Sequence, residues 1–287
     1  MFKVTFDDQP VLYENMTFPG GEEHITINRH GLPPHDIGVV KIEGSIKSST
    51  EAVRLLLLAD AIRRIGKYTA KTELHLVVPY FPYARQDRVC NAGESFSLGV
   101  FAELFNSLKA DRVLIHDPHS NVTPALIKNL VVLEQSKIVY NLLANWIREN
   151  NVVLVSPDGG AAKKTEELAK LLGGAPIVYA NKKRDTKTGN ILDITLLDND
   201  NIEGRNLLVV DDICDGGWTF TELAKKLNTQ NPKSLSLFVT HGIFSKGLGE
   251  LSIAFDQIFS TNVWWENITD DGLPTQSYLT AKDGRVK

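Results

Sequence analysis

Short apolar runs recur along this chain, each separated from the next by a stretch with helical spacing. Leu74–Val78 (LHLVV), Arg112–Ile115 (RVLI), Val152–Val155 (VVLV), Asn206–Val210 (NLLVV) and Leu235–Thr240 (LSLFVT) are the strongest, with Ile37–Ile42 and Pro176–Tyr179 as weaker members. Runs this short and this continuously apolar suit parallel strands covered on both faces. Between them, Thr50–Ile65, Phe96–Leu108, Lys137–Asn150, Ala162–Leu172 and Thr219–Leu227 read as helices. The alternation predicts an α/β fold, doubly wound with mainly parallel sheets, and it occurs twice. The pattern restarts near Val132–Ile138, which predicts domains at 1–135 and 136–287. A length of 287 residues also suggests two domains, each long enough to bury its own core.

Composition narrows the function. A net charge of −4 offers no field for coating nucleic acid or an anionic membrane, so an anionic ligand must be held by local groups. The two cysteines, Cys90 and Cys214, are too few and too far apart for a disulfide framework. Both read as packing residues, and their scarcity suggests a reducing compartment. Residues 1–20 lack a signal pattern and no apolar run approaches membrane length, so the expected location is cytoplasmic, without nucleic-acid or membrane partners.

In doubly wound folds, ligands bind beyond the carboxyl ends of strands, which selects four loops. After LHLVV comes Pro79–Arg88 (PYFPYARQDR), where Arg85 can fork onto phosphate or stack on a base. The same loop also reads as a rigid aromatic turn with surface charges. After RVLI comes His116–Ser120 (HDPHS), where Asp117 suits a hard cation and His119 a phosphate, or both are plain loop residues. After VVLV comes Ser156–Ala161 (SPDGGA), leading into a helix. Its glycines let backbone amides approach an anion, and Asp158 suits Mg²⁺, a sugar hydroxyl or a helix cap.

After NLLVV comes Asp211–Thr219 (DDICDGGWT), the most specific feature of the chain. Asp211 and Asp212 suit the hydroxyls of a ribose ring. Asp215, Gly216, Gly217 and Thr219 follow where a helix begins, an arrangement suited to a 5-phosphate. A basic stretch, Asn181–Asn190, follows the weak strand at 176–179; it is either a solvated loop or a segment that closes over a phosphoryl-transfer site.

Taken together, these segments resemble the ribose-phosphate diphosphokinase family, also called phosphoribosyl pyrophosphate synthetase, in order from about Phe18 to about Thr261. The resemblance implies a phosphoribosyltransferase-like fold for each half. It implies that the diphosphate of ATP is transferred to the C1 hydroxyl of ribose 5-phosphate with Mg²⁺, in a homo-oligomer serving nucleotide biosynthesis. It assigns ATP to Arg85, Gln86, Asp87 and His119, with Phe18 and Glu22 supplied by a neighbouring subunit. It assigns metal to Asp117, His119 and Asp158. Ribose 5-phosphate falls to Asp158, Asp211, Asp212, Asp215, Gly216, Gly217 and Thr219, and catalysis to Lys182 and Arg184 of the KKR segment. Trp218 stands where the family usually has glycine, Gly216 where it has threonine, and a polar tail, Thr269–Lys287, where it has a helix. Two other readings compete. One is a phosphoribosyltransferase, which leaves the RQD segment unused; the other is a silent regulatory subunit, which would be expected to lose His119, Lys182 or Arg184.

Overall fold

The computed structural model describes residues 2–184, 191–197, 202–264 and 277–280, without the side chains of residues 183, 184, 191–193 and 277–280. The chain divides into two compact units, Met1–Leu133 and Glu134–Lys287.

The first unit begins with four strands, β1 (Lys3–Phe6), β2 (Gln9–Val11), β3 (Tyr13–Thr17) and β4 (Glu23–Ile27). The alternating series follows: β5 (Val39–Glu43), α1 (Ser49–Arg63), β6 (Glu73–Val77), α2 (Ser97–Asn106), β7 (Arg112–His116), α3 (Val122–Leu126) and β8 (Leu130–Leu133). The sheet order is β2-β1-β5-β6-β7-β8, with β5 to β8 parallel and β1 antiparallel to both neighbours. Val40, Ile42, Leu74, Leu76, Val113 and Ile115 form one fully buried face, packed with Leu55, Leu58 and Ile62 of α1 and Leu98, Phe101 and Phe105 of α2. α1 starts cleanly because the Ser48 hydroxyl accepts from the Glu51 amide, satisfying an otherwise orphan donor. β3 and β4 form a separate ribbon, tied down where Arg54 of α1 donates to Glu23 through Nε at 2.7 Å and Nη2 at 3.2 Å.

The second unit runs α4 (Gln135–Glu149), β9 (Val153–Ser156), α5 (Ala162–Leu171), β10 (Ile177–Arg184), β11 (Ile191–Leu197), β12 (Asn206–Cys214), α6 (Trp218–Asn228), β13 (Ser234–Gly242), α7 (Gly249–Ala254), β14 (Gln257–Val263) and β15 (Ser277–Thr280). Its order is β11-β10-β9-β12-β13-β14-β15, parallel except for the antiparallel edges β11 and β15. Leu207 and Val209 share a core with Phe220, Leu223 and Leu227 of α6. Leu208 and Val210, which point to the opposite face, are also fully buried. Burial on both faces is why these strands read as continuous apolar runs.

Two expectations change. The Asp211–Asp212 pair belongs to the strand: β12 continues to Cys214 because β13 runs beside it in parallel register, with Asp211 opposite Val239 and Cys214 opposite Gly242. The basic segment does not begin as a loop either. Lys182–Arg184 extend β10, paired antiparallel with Ile191–Ile194 of β11. Polar composition hid that strand, since an antiparallel edge ribbon needs no apolar residue at every position. Residues 185–190 of the basic stretch lie outside the described residues, as does the Thr269–Lys287 tail apart from β15, which pairs with β14.

Candidate active site

In the second unit the strand order reverses between β9 and β12: the chain moves outward from β9 to β10 and β11, then returns to β9's other side. Ligands bind at such a switch point because the two flanking loops diverge and leave a crevice. The loops on either side of it are 157–161 and 215–217, the segments singled out from sequence.

Four side chains meet there. Lys182 of β10 donates through Nζ to Asp158 Oδ2 at 3.3 Å, lies 5.9 Å above the Phe220 ring and is only 3% exposed along its side chain. The other oxygen of Asp158 serves the backbone, since Oδ1 accepts from the amides of Gly160 and Ala161 at 3.0 and 3.1 Å. The turn before α5 is thus held by one carboxylate oxygen while the other faces the lysine. Asp211 Oδ1 accepts from the Asp212 amide at 2.9 Å. Burial, then the neighbouring Asp212 and Asp158 carboxylates, raise the Asp211 pKa well above the ordinary aspartate range, against the opposing pull of Lys182.

The turn after β12 is pinned from the side. Ser245 donates through its hydroxyl to Asp215 Oδ1 at 2.6 Å, and its amide donates to the Asp215 carbonyl at 3.1 Å. Gly217 adopts φ +81°, a backbone conformation that favours glycine, and a Cβ there would lie a tight 3.1 Å from Leu251 side-chain carbons. Trp218, the first residue of α6, is 45% exposed and points outward. Thr219 is half-buried in the first turn of α6. Cys214 is fully buried and its thiol is pushed up to about 12 by burial, which leaves it inert at neutral pH. Cys90 departs from the packing role expected of it and is exposed.

In the first unit the aromatic loop serves both of its readings. Tyr80, Phe81 and Ala84 are buried, and the Phe81 ring makes edge contacts to Phe101 and Phe105 of α2 at 5.4 and 5.1 Å. That anchorage leaves Arg85 and Gln86 exposed. Asp87 turns inward, accepting from Arg88 through Nε at 2.8 Å and Nη2 at 3.2 Å. Arg88, then Ser120 and the nearby His119, hold its carboxyl down to about 2. The loops after β6 and β7 therefore meet at Asp87, Ser120 and His119. Asp117 is 1% exposed with φ +38°, and its amide donates to the Leu133 carbonyl at 2.9 Å, whereas His119 is exposed. Among the described residues, no three His, Cys, Asp or Glu side chains gather in metal-binding proximity. Asp117 and His119 belong to the first unit and Asp158 to the second. Phe18 and Glu22 sit exposed at the tip of the β3–β4 ribbon, closed by Phe18 N–H to Glu22 O at 2.8 Å. The side chain of Arg184 lies outside the described residues.

Two neighbours of the site were not found from sequence: Ser245, which anchors Asp215, and Lys246, whose stem lies beside Gly216. The only sequence signal for them is their place just after the carboxyl end of β13.

The family model of the phosphoribosyl transferase domain matches residues 127–268. Ribose-phosphate pyrophosphokinase of Aquifex aeolicus is 29% identical over 233 residues, covering 80% of this chain and 71% of that protein. Its counterpart in Hyphomonas neptunium is 27% identical over 291 residues, covering 98% and 82%. That of Mycobacterium bovis is 30% identical over 194 residues, covering 66% of this chain and 57% of its own length. Among solved structures, phosphoribosylpyrophosphate synthetase from Mycobacterium smegmatis superposes with a TM-score of 0.75 at 21% identity, covering 90% of this chain and 82% of that one. That likeness establishes the shared fold.

Proposed function

We propose that this chain, which is similar to ribose-phosphate pyrophosphokinases along most of its length, transfers the diphosphate of ATP to the C1 hydroxyl of ribose 5-phosphate, giving phosphoribosyl pyrophosphate and AMP. The observation that carries this reading is a pair of distinct loop clusters, one in each unit. An enzyme that merely consumed phosphoribosyl pyrophosphate would have no use for an Asp87 that meets the His119 loop beside exposed Arg85 and Gln86.

In this reading the first unit, residues 1–133, takes ATP. Arg85, Gln86 and Asp87 receive the adenine and His119 the phosphates, while Phe18 and Glu22 of a neighbouring copy complete the pocket. The second unit, residues 134–287, takes the sugar phosphate. Asp211 and Asp212 accept hydrogen bonds from the ribose hydroxyls. The amides of Gly216 and Gly217, with the Thr219 hydroxyl and the turn at Asp215, cradle the 5-phosphate. Asp158 orients the reacting end.

The donors fit Mg²⁺. Asp117 and Asp158 offer oxygen, the ligand type this cation prefers, with His119 nearer to a phosphate contact. Burial first, and then repulsion from the Asp212 and Asp158 carboxylates, raises the Asp211 pKa, and a divalent cation bound nearby would relieve that repulsion. Bound Mg²⁺ supplies neutralisation of phosphate-oxygen charge.

Protein chemistry in such a transfer consists of positioning and electrostatics. Lys182 and Arg184 are the cations for the charge that develops on the moving phosphoryl group. One such donor typically contributes about 2.7–4 kcal/mol. Lys182 must first exchange its Asp158 partner for substrate oxygen.

We also assign the protein to the cytoplasm as a homo-oligomer. No described helix is long and apolar enough to cross a membrane. The exposed Leu12, Met16 and Phe18 offer a second copy an apolar surface on the ribbon.

The test is AMP formation from ATP and Mg²⁺, with and without ribose 5-phosphate. AMP that appears only with the sugar phosphate, matched by phosphoribosyl pyrophosphate, is the expected result. No AMP, with ribose 5-phosphate still bound, would transfer the assignment to a silent subunit or a phosphoribosyltransferase.

A further inference from the structure

The turn proposed to hold the 5-phosphate has a charge problem. Residues 211–219 contain Asp211, Asp212 and Asp215 but no lysine or arginine. Backbone amides and a helix N-terminus attract an anion, yet a phosphate dianion beside three carboxylates needs a cation. Lys182 is occupied by Asp158.

The geometry points to Lys246 as that cation, a phosphate-binding residue on the loop after β13. A Cβ placed on Gly216 would meet the Lys246 stem, with Cδ and Cε at 3.7 Å and Cγ at 4.0 Å. The stem therefore lies along the turn's open side, and the ammonium is carried past it at the end of a flexible chain. The loop is held in place, since Ser245 bonds Asp215 through both hydroxyl and amide, and the Gly247 amide closes a tight turn onto the Phe244 carbonyl at 2.8 Å. Lys246 is exposed and makes no ion pair among the described residues, so its charge is available. A Cβ at Gly216 would stand in ordinary van der Waals contact with that stem, so the contact marks where the stem runs.

This inference rests on the proposed reaction and deepens it: Lys246 sets the preference for a phosphorylated sugar over the free one. The experiment compares wild type with Lys246→Met, which keeps the stem, and Lys246→Arg, which keeps the charge. It measures KM for ribose 5-phosphate and for ATP, kcat, and direct calorimetric binding of ribose 5-phosphate. Loss of a charged hydrogen bond predicts KM and Kd for ribose 5-phosphate raised about tenfold in Lys246→Met. KM for ATP and kcat should change by less than about threefold, and Lys246→Arg should recover most of the loss, as expected for a residue that only binds. Ribose 5-phosphate binding by Lys246→Met at the wild-type level, with wild type active, would remove Lys246 and leave the reaction standing. A wild type that neither binds ribose 5-phosphate nor releases AMP would overturn both.

Discussion

Asp211 is held in the folded state against its own charge. Its raised pKa means the native state keeps a proton that the unfolded chain releases near the ordinary aspartate value of about 3.9. Between that value and the higher folded value, the native state binds more protons than the unfolded one, so stability falls as pH rises through the window. Above it the cost of an ionised, crowded carboxylate is present in full. Asp211→Asn keeps an oxygen for the Asp212 amide and removes that charge. The variant should therefore be more stable than wild type at pH 8, by about 0.5–2 kcal/mol as is common when a functional site is relaxed. The gain should shrink as pH approaches 4, and turnover should be largely lost. Thermal melts across that pH range check the sign, and a variant less stable than wild type at pH 8 would remove the picture of Asp211 as a strained functional group. The sequence made this residue visible through three carboxylates beside two glycines. It did not make visible the division of labour at Asp158, which caps a turn with one oxygen and meets Lys182 with the other, because Lys182 is 24 residues away and reaches it only through the pairing of β10 with β9. Lys246 was hidden for the same reason: its relation to Gly216 exists only once β12 and β13 lie side by side.

Elements were legible to the extent that burial on both faces stamps an apolar run onto the sequence. β6, β9, β12 and β13 announced themselves in that way. The strands β1 to β4 did not, since Gln9–Val11 is three residues long and Tyr13–Thr17 (YENMT) alternates on a half-exposed ribbon. The extension of β10 through Lys182–Arg184 was the more consequential omission. A cation on a paired strand is placed by ladder hydrogen bonds, and the register shifts between Lys183 and Arg184. Lys182 in particular is held in a strand, opposite Ile194 of β11, rather than in a wandering loop. Lys182→Ala combined with Arg184→Ala should lower kcat at least about a hundredfold, the scale of losing one electrostatic donor. Ribose 5-phosphate affinity should stay within about threefold, because its proposed ligands come from the β12 turn and the loop after β13. Single-turnover kinetics alongside calorimetry separates the two effects, and near-normal turnover would take the basic strand out of the mechanism.

At the scale of the molecule, the two cores are built from separate stretches of sequence. The hydrophobic cluster of the first unit draws on residues from Phe2 to Ile127, and that of the second on residues from Val153 to Ile258. The restart of the strand–helix pattern reflects this, since each unit buries its own sheet. A segment whose core is internally complete folds by itself. A fragment of residues 134–287 should therefore unfold cooperatively and bind ribose 5-phosphate with an affinity within about tenfold of the full chain, allowing for interactions lost at the cut. It should release no AMP, because Arg85, Gln86, Asp87 and His119 belong to the other unit. Circular dichroism melts and calorimetry on the fragment test both halves of the expectation. A fragment that melts without cooperativity would mean that the second sheet depends on the first unit for its stability. A fragment that folds but ignores ribose 5-phosphate would mean that the crevice between β9 and β12 is not a binding site by itself. AMP released by the fragment alone would separate the Arg85–Asp87 cluster from the reaction, since the chemistry would then need only Asp158, Lys182 and the β12 turn.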